Sequence, residues 1–169
     1  MDSYQRTNFS LYHGSPVLNL VRPSSIYSRE YEFVPAIYCS EEVVVAKANS
    51  KSGHVYEINV SGLASGIVNP GRPAKDQHPY AMRRISRVCR NYNIAPDAGA
   101  PLYHWLYDVK SEIGADTLRA ALLVVGIWAI VGPMEPSSRS GLCDRGDQYR
   151  IISDNHVLSC RPISRHGSG

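Results

Sequence analysis

Ala36-Ile37-Tyr38-Cys39-Ser40-Glu41-Glu42-Val43-Val44-Val45-Ala46-Lys47-Ala48-Asn49 changes its periodicity part-way along. Ala36 to Cys39 reads as a short strand. Ser40 fits a helix N-cap, with Glu41 and Glu42 in a first turn where the helix dipole favours anions. Val44, Val45 and Ala48 then share one face of a helix that should end before Gly53. The rest of the chain is read outward from this strand-to-helix junction.

Upstream, Phe9 to His13 alternates and runs into Gly-Ser-Pro, which predicts a strand ending in a turn. Residues 16–35 hold three prolines and little periodicity, so a covering loop is expected there. Downstream, His54 to Val60 alternates as a half-buried strand, and the Gly- and Pro-rich stretch from Ser61 to Pro79 reads as an exposed excursion. Helical spacing follows over Ala81 to Tyr92, Leu102 to Ile113, and Ala115 to Val125, the last stopped by Gly126. Ile127 to Val131 is an apolar strand, and residues 132–146 form a loop. Gln148 to Ser153 and Val157 to Pro162 are expected to pair as a hairpin around Asp154-Asn155, ahead of a disordered tail at 164–169. This succession suits one α+β domain over residues 1–163, a sheet flanked by helices.

Composition narrows the function. A chain of 169 residues with 43% hydrophobic content can bury a core of ordinary size. A net charge of +3 lacks the basic excess of a dedicated nucleic-acid binder. The longest apolar run, Ala120 to Val131, is broken by Gly126 and is too short to span a bilayer, and Met1 to Arg6 lacks the apolar stretch of a signal peptide. Cys39, Cys89, Cys143 and Cys160 show no Cys-x-x-Cys spacing, and His54, His78, His104 and His156 lack ligand spacing. Free thiols in a reducing compartment and no metal are therefore expected. Arg83, Arg84, Arg87 and Arg90 are expected to share one solvated side of their helix, while Trp105 and Trp128 read as core.

Three segments carry the chemistry: Leu11-Tyr12-His13-Gly14-Ser15, Ala36-Ile37-Tyr38-Cys39-Ser40, and Asp147-Gln148-Tyr149-Arg150-Ile151-Ile152. In this order they resemble the ADP-ribosyltransferase fold, in the poly-ADP-ribose-polymerase-like branch marked by a His, a Tyr and a Glu on three strands. The likeness is that of the compact bacterial and phage type. It implies a split β-sheet core flanked by helices, with NAD as substrate. It further implies release of nicotinamide and placement of one ADP-ribose on a macromolecular acceptor, protein rather than nucleic acid. Compact relatives often serve as toxins, effectors or inhibitors of host defence, which implies a cytoplasmic setting in the producing cell or an infected host, without membrane attachment.

The resemblance also assigns roles. His13 would donate to a ribose hydroxyl, Gly14 would meet the carboxamide through its backbone, and Ser15 would add a small hydroxyl. Tyr38 would stack on nicotinamide. Ala46 stands near a Ser that in relatives binds the carboxamide, and Asn49 stands where some relatives place a second aromatic. Gln148 occupies the position of the family's Glu. That Glu stabilises positive charge on the ribose as the bond to nicotinamide breaks, and a neutral amide does so far less. Asp147, or Glu135 or Asp144 in the preceding loop, would then be the source of the missing carboxylate. Two other outcomes stay open: a module that keeps the fold and binds NAD, ADP-ribose or a protein, and an NAD glycohydrolase that uses water as acceptor.

Overall fold

The structure, a computed structural model, describes residues 4–25, 28, 32–50, 53–133 and 146–163, with Asn49 described by its backbone alone. The strands are β1 (Arg6–Ser15), β2 (Ile37–Ser40), β3 (His54–Leu63), β4 (Ile67–Val68), β5 (Ala129–Pro133), β6 (Asp147–Ile151) and β7 (Val157–Pro162). The helices are α1 (Val43–Asn49), α2 (Pro79–Tyr92), α3 (Leu102–Ile113) and α4 (Ala115–Val124). Among the described residues, no helix is long and apolar enough to cross a membrane.

The strands form one mixed sheet in the order β4-β5-β6-β2-β1-β3-β7, so the α+β class holds. Only β4 and β5 run parallel. The ladder is uneven. β1 and β3 pair along their whole length, from Arg6–Leu63 to Ser15–His54. β1 and β2 share the single registered pair Tyr12–Ser40. The sheet bends at this seam. The Phe9 ring on β1 meets the Tyr149 ring on β6 edge-on at 5.0 Å, although β2 lies between them in the order.

Two apolar clusters follow from the bend. One lies between the half-sheets and draws Leu11 from β1, Ile58 from β3, Cys39 from β2 and Ile151 from β6. The other joins α2, α3 and α4, through Ile85, Trp105 and Leu118, to Ile130 of β5 and to Phe33 and Val34 ahead of β2. Each cluster has a Trp where the sequence expects core: Trp105 in the helical one, Trp128 in the other.

Several expectations need correction. The last two strands do not pair with each other. β6 is buried on both faces at Tyr149, Arg150 and Ile151, so it takes a central place between β5 and β2. β7, with exposed residues along it, lies on the outer edge of β3. The connecting turn at Asp154 is held instead to residues 22–25. Ser24 Oγ donates to its carboxylate at 2.6 Å, the Ser25 N–H does so at 3.1 Å, and Arg22 donates to its carbonyl at 2.8 Å.

The stretch from Ser61 to Pro79 is not an exposed excursion. β3 runs on to Leu63, and Ser61, Ser65, Val68 and Gln77 are buried. Its glycines serve close packing: a Cβ on Gly62 would lie 2.3 Å from Trp128 Cε2. Ser40 does not cap α1. The helix begins at Val43 with Glu42 as its N-cap and no side-chain bond, while Ser40 Oγ donates to the Glu42 carbonyl at 2.9 Å. Glu41 and Glu42 thus precede the first turn. α2 starts at Pro79, earlier than expected, with the His78 ring accepting from the Tyr80 N–H. Its arginines divide: Arg83, Arg87 and Arg90 are exposed, whereas Arg84 turns inward and donates to the Val125 carbonyl at 2.9 Å. That contact needs Gly126, whose φ is +85° and whose Cβ would lie 2.1 Å from Arg84 Nη1.

Candidate functional site

The three quoted segments lie on adjacent strands. Ser40 on β2 is opposite Tyr12 of β1 on one side and Gln148 of β6 on the other. The next rung pairs Tyr38 with Arg150. Residues directly opposite in a ladder share a face. Tyr12, Ser40, Gln148, Tyr38 and Arg150 therefore share one face, the one that packs on the helical core through Tyr38. At strand spacings of about 4.8 Å, the β1 and β6 members stand roughly 10 Å apart.

His13 stands on the other face of β1 from Tyr12: alternation sets its side chain with Leu11 and with Tyr56 across the ladder, away from the Tyr38 and Gln148 side chains, and the ring meets the seam only at its edge. Its Nδ1 lies 2.9 Å from the Tyr38 carbonyl oxygen. A carbonyl only accepts, so Nδ1 carries the proton and Nε2 holds a lone pair in the neutral ring. Burial lowers the His13 pKa from its ordinary value, and the bond to Tyr38 offsets part of that. The imidazole stands in for main-chain bonding just where the β1–β2 ladder stops. Among the described residues, no partner is given to Nε2.

Gly14 has a structural cause that sequence does not reveal. A Cβ there would lie 2.3 Å from the Ala46 carbonyl oxygen and 2.6 Å from Ser50 Cβ. The bare backbone lets the end of α1 press onto β1. Ala46 is buried in that contact. Ser15 is buried too, and its hydroxyl accepts from the Val17 N–H at 3.1 Å, closing a turn. The hydroxyl expected to serve a ligand thus stabilises the end of the strand.

Tyr38 is half-buried with its ring on the helical cluster, and its hydroxyl accepts from the Glu32 N–H at 3.0 Å. Gln148 is half-buried beside Ser40, and Asp147 is half-buried opposite Pro133. Glu135, Asp144 and the 164–169 tail lie outside the described residues, as does the Asn49 side chain.

Two residues at this corner were missed by sequence reasoning. Tyr12, read only as pointing away from His13, stands on the Gln148 face. Glu41, read as a helix residue, accepts from the Tyr149 hydroxyl and reaches Gly146, whose Cβ would lie 3.3 Å from Glu41 Oε2. Burial, with Glu41 next, raises the Tyr149 pKa, which keeps that phenol a neutral donor. Strand alternation gave the signal for Tyr12. Nothing local marked Glu41, because its partner is 108 residues away.

The arrangement offers two tyrosines and a primary amide on one face of the seam, and the His13 acceptor nitrogen with the carboxylates of Glu41 and Asp147 on the other. No group of three or more His, Cys, Asp or Glu able to hold a metal occurs among the described residues. An open groove of about 490 Å³ lies elsewhere, between Tyr92–Ile94 and the last turns of α3, with Asp108 and Glu112 on its wall. It contains none of the residues above. Compared with protein-family models, curated proteins and solved structures, the chain matches none.

Proposed function

We propose that this chain is an ADP-ribosyltransferase with NAD as substrate and a macromolecule, protein before nucleic acid, as acceptor. The observation that supports the reading is the Tyr12–Ser40–Gln148 row with Tyr38 one rung along on the same face, while His13 reaches the Tyr38 main-chain carbonyl from the opposite face of β1. Three segments far apart in sequence lie there on adjacent strands. In this reading Tyr38 is the wall for the nicotinamide ring. The His13 role is refined: with the Nδ1 proton committed to Tyr38, the ring accepts from a ribose hydroxyl through Nε2. Gln148 holds a second hydroxyl. The glycosidic carbon–nitrogen bond breaks with its electron pair leaving on nicotinamide. The acceptor atom then bonds to the same ribose carbon and gives up its proton.

Incubation with labelled NAD and a host lysate tests this, with label expected on protein. Free ADP-ribose alone would make the chain a glycohydrolase. Gln148→Glu is expected to raise the transfer rate by about 10²–10³-fold, the worth of one charge-stabilising group. His13→Ala should abolish NAD affinity, and unchanged affinity in that variant would falsify the site.

Gln148 itself favours a second reading, a module that binds NAD or ADP-ribose without turnover. Its signature is saturable NAD binding by calorimetry, with no label transfer and none gained by Gln148→Glu.

A further inference from the structure

Ahead of β2 the chain folds back over the strand it is about to enter. Phe33 and Val34 are fully buried in the helical cluster, and this plug sets Glu32 above the Tyr38–Arg150 rung. Glu32 then ties four side chains. Its N–H donates to Tyr38 Oη at 3.0 Å. Its carboxylate accepts from Arg150 Nη2 at 2.5 Å and from Tyr107 Oη at 3.5 Å. Its carbonyl accepts from Lys110 Nζ at 2.7 Å.

Arg150 is fully buried, with its guanidinium 5.2 Å from the centroid of the Phe33 ring. Among the described residues, its Nε and Nη1 have no hydrogen-bond partner. A buried guanidinium with idle donors is an expensive way to fill space, and an apolar side chain of similar size would serve stability as well or better. What an apolar pair cannot supply is direction. The ion pair fixes Glu32, and Glu32 holds the tip of the Tyr38 ring.

We propose that Glu32 is a positioning residue for Tyr38, setting the tilt of that ring by tying it to Arg150 on β6 and to Tyr107 and Lys110 on α3. Its consequence for NAD rests on the proposed function, but the tie itself does not.

Two readouts on the full chain test it: the ¹⁹F NMR signal of 3-fluorotyrosine placed at position 38 alone, and NAD affinity and turnover. Glu32→Gln keeps shape and removes charge. We expect the fluorine resonance to move and broaden, and KM for NAD to rise about tenfold while kcat falls less than about threefold, the pattern of a displaced orienting group. Glu32→Asp should restore part of both. A folded Glu32→Gln protein with the wild-type fluorine signal overturns the tie. A moved signal with unchanged NAD affinity overturns the platform role. A wild-type chain that neither binds nor turns over NAD overturns the proposed function, and the fluorine experiment still decides the tie. Should Glu32→Gln fail to fold, Tyr107→Phe removes one hydroxyl from the same carboxylate and is judged by the same two readouts.

Discussion

Burial and a main-chain bond act on the His13 ring in opposite directions, and burial is the larger. Nδ1 is spent on the Tyr38 carbonyl, and burial lowers the pKa below the ordinary value of about 6.5. The unfolded chain therefore binds a proton more readily than the folded one. His13 contributes stability that is complete above about pH 6.5 and is lost as pH falls toward the folded pKa. Urea unfolding at pH 7.5 and 5.5 checks this: wild type should lose more stability between these values than His13→Gln, whose amide can still donate to Tyr38. Gly14 gives a second residue-scale prediction. Gly14→Ala forces a methyl against the Ala46 carbonyl and Ser50, so a loss of about 1–3 kcal/mol is expected from overpacking, read as a lower urea midpoint. The His13-Gly14-Ser15 run was legible as a special turn. The reasons for Gly14 and Ser15 were not, because α1 supplies one and a local hydroxyl cap the other.

At the scale of elements, periodicity read the strands and helices well where one face is buried. α3 and the alternation of β3 were visible at once. It failed where tertiary contacts set the outcome. Gly62 and Gly66 imitate a loop but make room for Trp128. Asp154-Asn155 does form a turn, yet the strands it joins go to opposite parts of the sheet, because both edges of β6 are already taken. β6 also carries the buried charge. Arg150→Met removes the cation opposite the Glu32 carboxylate, and a loss of about 3–5 kcal/mol is expected by chemical denaturation. Adding Glu32→Gln to that variant should recover part of the loss, since the carboxylate charge is then removed along with the cation.

At the scale of the molecule, sequence order and sheet order diverge. β6 arrives late in sequence but sits between β5 and β2, and β1 pairs with β3 across the bulk of the other half-sheet. A chain ending at Pro133 would leave the edges of β2 and β5 bare and the cluster between the half-sheets without Tyr149 and Ile151. It should show no cooperative transition in a circular-dichroism melt, whereas residues 1–163 should melt in one step. Sequence reasoning reached the α+β class and the strands that carry the three quoted segments. It could not reach the strand order, because no single segment records its partners across a hundred residues.

The lone rung between β1 and β2 has a mechanical consequence. Few main-chain bonds cross that line, and the helical cluster takes none of its buried residues from β1, β3 or β7. The two half-sheets are held together at this line by side chains and by α1 more than by a ladder, so amide protons along it should exchange with solvent sooner than those of the β1–β3 ladder, and the sheet should open there first.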